Sequence, residues 1–162
     1  MIDLHLIGIG TGNPDHLTRE AVRALNRADL ILVPRKGADK ADLADLRLQI
    51  CAQVLDVDAR VVEFDLPQRA SAPPYLDAVN DWHDAIADCW RAEIARHLPQ
   101  GGNVALMIWG DPSLYDSSLR IAARLGAAGL LLRTHVVPGI TSLQVLTAAH
   151  GIALNTLGGP VT

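Results

Sequence analysis

Three short stretches each place glycine and proline, with acidic or hydroxyl side chains beside them, directly behind an apolar run. They are GIGTGNPDHLT at 8–18, WGDPSLYDSS at 109–118 and VVPGITS at 136–142. A glycine at such a point lets a ligand or another backbone come close, because no Cβ stands in the way. In the second stretch Gly110 is followed by Asp111, which Pro112 biases toward an extended conformation. Its carboxylate and carbonyl are thereby held in fixed directions. Ser113, Ser117 and Ser118 add hydroxyls, and Tyr115 adds an aromatic wall. So many polar groups behind one apolar segment fit a pocket for a small polar cofactor. The plain structural alternative is an Asx-turn with serine caps for the next helix. In the third stretch Thr141 and Ser142 stand where a helix opens, able to cap it and to present its N–H groups to a ligand.

The first stretch has glycines at 8, 10 and 12 and Asn13 where a dinucleotide fingerprint needs its third glycine. Pro14 offers no N–H to a phosphate. The second apolar run ends in Pro34-Arg35-Lys36, not in the acid that would hold an NAD ribose; an arginine there leaves NADP open. A tight strand-to-helix turn and a ligand loop fit this stretch equally. Arg35, Lys36 and Lys40 read either as a solvated face or as a docking site for a polycarboxylate. The six histidines show no HxxxH or HxH spacing, so no metal site is expected, and no G-x-S-x-G nucleophile elbow appears. Cys51 and Cys89 form no CxxC pair and read as reduced, partly buried thiols.

These turns need a scaffold. Apolar runs at 4–9, 30–34, 59–64, 103–109 and 130–137 read as strands. Helical spacing covers 17–28, with Thr18 as cap, and 42–55, with Leu43, Leu46, Ile50 and Val54 on one face. A longer helix spans 75–98, carrying the stripe Val79, Trp82, Ile86, Trp90 and Ile94; two more cover 115–126 and 141–150. Strict alternation of strand and helix predicts an α/β fold, a Rossmann-like, mostly parallel five-stranded sheet with helices on both faces. Near-continuous apolar strands agree with burial on both sides. In such a sheet ligands sit at the carboxyl ends of the strands, where all three stretches fall.

The chain of 162 residues is expected to form one domain over 1–154, with NTLGGPVT at 155–162 as an interdomain linker and a C-terminal domain absent. A net charge of −4 and a pI near 5.8 argue against nucleic acid as a partner. No apolar run reaches the ~18 residues of a membrane span, and the N-terminus lacks a basic leader region, so the expected location is cytoplasmic.

Taken in order within such a layer, the three loop stretches resemble the tetrapyrrole methylase family, the S-adenosylmethionine-dependent methyltransferases of the sirohaem and cobalamin pathways. PRKGADKADLADLR (34–47), YLDAVNDWHDAIA (75–87) and ALNTLGGPV (153–161) are similar to one cobalamin-pathway branch of it. The resemblance covers essentially the whole chain. It implies S-adenosylmethionine as cofactor, a small-molecule tetrapyrrole as substrate, and a homodimer in the full-length form. It places Pro14 near cofactor or substrate. Gly110-Asp111-Pro112 would wrap the methionine part of the cofactor, with Trp109 and Leu114 adjoining and Thr141 and Ser142 against it. Trp109 stands where many relatives have glycine. Arg35, Lys36 and Lys40 would hold the substrate's carboxylates, and the release of an acetyl group in that branch calls for a base, with Asp111 the candidate for an electrostatic or basic catalytic role. Family members fold the cofactor between this domain and a second one. A non-catalytic binding or dimerisation module and an NADP-dependent oxidoreductase are the alternatives from other classes.

Overall fold

A computed structural model describes residues 1–35, 41–56, 60–67 and 75–161. Strands and helices alternate throughout: β1 (Ile2–Gly8), α1 (Arg19–Asn26), β2 (Leu30–Arg35), α2 (Ala41–Val54), β3 (Arg60–Asp65), α3 (Tyr75–His97), β4 (Gly102–Ile108), α4 (Ser118–Ala127), β5 (Leu132–Val137) and α5 (Ser142–His150). All five strands are parallel, in the order β3-β2-β4-β1-β5. This is the α/β architecture expected from the sequence.

Successive residues of a strand point to opposite faces, and here both faces are dry. Leu4, Leu6, Leu30, Leu32, Val104 and Leu106 pack beneath Ile86, Trp90 and Ile94 of α3 and Ile121 and Leu125 of α4. Ile7, Ile31, Val33, Ala105 and Met107 pack on the other side against Ala21 and Leu25 of α1 and Ala44, Ile50 and Cys51 of α2. Each large aliphatic side chain so buried stabilises the fold by about 1.5–3 kcal/mol. Local chemistry sets the helix starts. Thr18 Oγ1 accepts the Ala21 N–H at 3.0 Å to open α1. Asp116 Oδ1 accepts the Ser118 N–H at 2.6 Å to open α4.

Three local differences from the sequence expectation matter. First, β4 ends at Ile108 and α4 begins only at Ser118. Tyr115, placed by its sequence in the first turn of that helix, has φ +54°, which a right-handed helix does not allow. Second, α2 is rotated relative to its apolar stripe: Leu43 is exposed, while Ala44 and Arg47 turn inward. Third, β2 runs on through Pro34 along β3 but leaves β4 early. It pairs with β3 from Leu30 to Arg35 and with β4 only from Leu30 to Leu32. Beyond that point a crevice opens between the carboxyl ends of β2 and β4. The chain leaves β2 toward β3 on one side and β4 toward β5 on the other, so the crevice sits where ligands of parallel sheets gather.

Among the described residues no helix is long and apolar enough to cross a membrane. Cys51 is buried and Cys89 half-buried, and both are free.

Candidate functional site

The turns after β1, β4 and β5 are joined backbone to backbone. Gly10 and Gly110, both in the left-handed region at φ +73° and +63°, exchange hydrogen bonds. The Gly110 N–H donates to Gly10 O at 2.7 Å, and the Gly10 N–H donates to Gly110 O at 3.4 Å. A Cβ added at Gly139 would stand 2.0 Å from Gly110 O and 2.8 Å from the Gly8 backbone, so the three chains meet only because these positions lack side chains.

Asp111 locks the junction. Its Oδ2 accepts the Gly139 N–H at 2.9 Å, and its Oδ1 accepts both the Ser113 N–H at 2.9 Å and the Ser113 hydroxyl. The Asx-turn is therefore present, and the second carboxylate oxygen reaches across to the β5 turn. Burial would raise the pKa of this carboxyl, but the bonds from Ser113 and Gly139 outweigh it and hold it below the ordinary carboxylate value.

The other sequence-derived candidates fall around this junction to differing degrees. Pro14 opens a 3₁₀ turn, Pro14–His16, capped by Asn13 Oδ1, which accepts the Asp15 N–H at 3.0 Å. That turn folds His16 onto Gly10. His16 Nδ1 is buried with no partner among the described residues. Thr141 lies beside Gly110, its Cα 3.7 Å from where a Gly110 Cβ would stand. It is the N-cap of α5, where Gln144 Oε1 accepts the Thr141 N–H at 2.7 Å and its hydroxyl at 2.9 Å. Ser142 is exposed in the first turn of that helix, and Leu114 is 41% exposed at the rim. Trp109 packs toward the first turn, its Cζ3 3.9 Å from a Gly12 Cβ position.

Arg35 stands apart from this group, on the β2–β3 edge. Its Nε lies 3.4 Å from Asp65 Oδ1 and 4.0 Å from Glu63 Oε1. Lys36 and Lys40 lie outside the described residues. Among those described, no group of three His, Cys, Asp or Glu side chains could hold a metal.

Sequence reasoning missed Arg47. Its Nε–H donates to Met107 O at 3.0 Å, just where β4 has lost β2 as a neighbour, and its guanidinium lies 4.8 Å over the Trp109 ring. The signal was a helical interval, Ala44-Arg47-Cys51-Val54, competing with the more apolar stripe one position away.

Residues 3–161 match the family model described as Tetrapyrrole (Corrin/Porphyrin) Methylases. The chain is 47% identical over 159 residues to precorrin-6A synthase (deacetylating) of a Sinorhizobium species, covering 96% of this chain and 61% of that protein. It is 30% identical over 155 residues to precorrin-2 C(20)-methyltransferase from a Sinorhizobium species, covering 92% and 59%. The crystal structure of a cobalamin synthesis related protein, CobF, from Corynebacterium diphtheriae matches with a TM-score of 0.78 and 34% identity, over 99% of this chain and 63% of that one. The chain thus spans about three fifths of the length of these relatives. Uroporphyrin-III C-methyltransferase from Thermus thermophilus, solved with S-adenosylhomocysteine, shares the fold at a TM-score of 0.53 and 22% identity, over 96% of this chain and 51% of that one. By the extent of the family match and the identity of these relatives, this chain belongs to the tetrapyrrole methylase family.

Proposed function

We propose that this chain supplies the cofactor-holding part of an S-adenosylmethionine-dependent methyltransferase of cobalamin synthesis, the one that methylates precorrin-5 at C1 with release of acetate to give precorrin-6A. The observation that carries the reading is the junction of the three strand-end turns, tied by Asp111 to Gly139 and by Gly10 to Gly110. The identity to precorrin-6A synthase supports the choice of reaction.

The residues fit the cofactor. Among the described residues, chain neighbours aside, only Thr141 Cα comes within 4 Å of a Gly110 Cβ position, so that backbone is open to a ligand edge. In the first turn of α5, which Thr141 caps, the Ser142 and Leu143 N–H groups have no intrahelical acceptor. S-Adenosylmethionine, when bound, supplies an electrophilic methyl group on a sulfonium. Displacement at that methyl neutralises charge and asks the protein for alignment and for exclusion of water, more than for acid–base groups. Fixed turns meet that demand. In this reading Gly110, Asp111, Leu114, Trp109, Pro14, Thr141 and Ser142 form one wall of the cofactor site. Asp111 acts by positioning: with three donors on its oxygens and a lowered pKa it is a poor base. The water that carries off the acetyl group as acetate then needs another base. Arg35, Lys36 and Lys40 would meet the macrocycle's carboxylates. Residues 1–154 are read as the family's N-terminal domain, and 155–162 as the segment leading out of it.

Titration calorimetry with S-adenosylhomocysteine, paired with transfer of a labelled methyl group to precorrin-5, tests the reading on the full-length protein. Saturable binding and label in the macrocycle are expected. A folded chain that ignores S-adenosylhomocysteine but saturates with NADPH would overturn it. A second role, association, is favoured by the exposed Leu146, Ile152 and Leu154 on and behind α5. Light scattering decides whether the protein is the expected homodimer.

A further inference from the structure

The crevice between the ends of β2 and β4 has a volume of about 290 Å³ and is walled by Pro34, Arg47, Trp82, Trp90, Trp109 and Asp116 among others. Its chemistry centres on Arg47. This side chain is only 8% exposed, yet no carboxylate among the described residues comes within ion-pair distance of it. It uses two of its five N–H groups, on Met107 O at 3.0 Å and Leu43 O at 3.2 Å. The other three have no protein acceptor among the described residues. Burial pushes its pKa down to about 10, against the field of Asp116. A buried cation of this kind is costly until a partner arrives.

Two further features point to what the partner is. The Trp109 ring beneath the guanidinium leaves its Nε1–H buried and without an acceptor among the described residues. Asp116, the acid of the facing wall, is committed to capping the Ser118 N–H. A buried indole N–H without an acceptor and a guanidinium without a carboxylate partner, both among the described residues, thus share a wall with flat aromatic and aliphatic surface.

We propose that this crevice binds a carboxylate carried on an apolar or flat body, with Arg47 as its ion-pair partner and Trp109 as platform and second donor. The proposal rests on the functional reading above only for where the carboxylate comes from: an acid side chain of the macrocycle or the amino-acid end of the cofactor.

The chain has three tryptophans, and all of them line the crevice, so intrinsic fluorescence reports on it directly. The probes are cyclohexanecarboxylate and cyclohexanecarboxamide, which share a ring and differ in charge. The carboxylate is expected to change the emission saturably and to bind at least tenfold tighter than the amide. Arg47→Gln should abolish that preference. Trp109→Phe, which keeps a ring but removes the N–H, should weaken the carboxylate several-fold. Asp116→Asn keeps the cap oxygen and removes a like charge, so it should tighten carboxylate binding two- to fivefold. This opposite sign cannot come from a loss of folding, and it stands even where Arg47→Gln fails to fold. Equal response to acid and amide in the wild type, a preference that survives Arg47→Gln, or no tightening in Asp116→Asn would overturn the proposal. Displacement of the bound carboxylate by S-adenosylhomocysteine assigns the site to the cofactor; displacement by uroporphyrin assigns it to the macrocycle. Failure of S-adenosylhomocysteine to bind at all, with the acid-over-amide preference intact, sinks the functional reading and leaves the crevice.

Discussion

Asp111 Oδ2 lies 2.9 Å from the backbone nitrogen of Gly139, a residue 28 positions further along the chain. Through this one bond the turn after β4 fixes the turn after β5. A charged acceptor on a backbone donor contributes about 1.5–3 kcal/mol, and losing it leaves the half-buried Gly139 N–H without a partner. Asp111→Ala should therefore lower stability by about 2 kcal/mol, read from the urea midpoint at unchanged slope. It should also weaken S-adenosylhomocysteine more than tenfold. Asp111→Asn, which keeps one acceptor oxygen, should fall between. An alanine variant with wild-type affinity would show that the junction does not shape the cofactor wall.

The same carboxyl gives a pH prediction of definite sign. Its folded pKa lies below the ordinary carboxylate value, so its stabilisation is present above about pH 4 and is lost as pH falls through the folded value. The stability difference between wild type and Asp111→Asn should be largest near neutrality and shrink in acid. A difference that stays constant down to pH 2 would contradict the hydrogen-bond pattern described for Asp111.

How far the sequence could carry this picture depended on the kind of signal. Strand and helix existence was legible because short apolar runs bounded by glycine and proline, as in LILVP at 30–34, alternate with longer stripes of helical period, as in Trp82-Ile86-Trp90. The convergence of three distant turns was legible because parallel sheets put strand ends on one edge and the glycines marked close approach. The role of Asp111 was half legible: the Asx-turn follows from Asp-Pro-Ser, whereas the bond to Gly139 depends on tertiary placement. Arg47 was illegible as a site residue. Charged residues on amphipathic helices normally face water, and only the early parting of β2 from β4 gives this one an interior acceptor.

Two glycine substitutions should act in opposite directions. Gly139→Ala sets a Cβ 2.0 Å from Gly110 O and 2.8 Å from two Gly8 backbone atoms, none of which can move without parting the turns. Its cost should exceed the ~1–3 kcal/mol of ordinary overpacking. Gly126 lies inside α4, with nothing within 4 Å of its Cβ position. Gly126→Ala should raise stability by about 0.5–1 kcal/mol through helix propensity and a less flexible unfolded chain. Thermal melts of the two variants beside wild type check both signs. A stable, cofactor-binding Gly139→Ala protein would mean that the backbone contact among the turns is dispensable.

A separate pH response should arise from two histidines that make no contact with Asp111. His5 of β1 stacks on His135 of β5, ring centroids 4.6 Å apart and planes 13° from parallel. Asp3 carries the neighbouring charge, accepting from Arg133 Nε at 2.6 Å and lying 2.7 Å from His135 Nε2. Burial, and then the charge of His135, push the His5 pKa below 6.5, against weaker opposing effects of Asn103 and Asp3. His83, enclosed between α3 and α4, is pushed the same way by burial and then by Arg124 and Arg120. For both residues the folded state holds the neutral ring and the unfolded chain takes up the proton first. Stability is then greatest above about pH 6.5 and declines as pH falls from there toward the folded values. The urea midpoint should drop between pH 7 and pH 5 in the wild type. His5→Phe, which keeps an aromatic ring on His135, should flatten part of that decline, and adding His83→Leu should flatten more. The acid loss below pH 4, which belongs to Asp3 and Asp111, should persist in the double variant. A double variant with the wild-type slope between pH 7 and pH 5 would show that neither ring is held neutral by the fold.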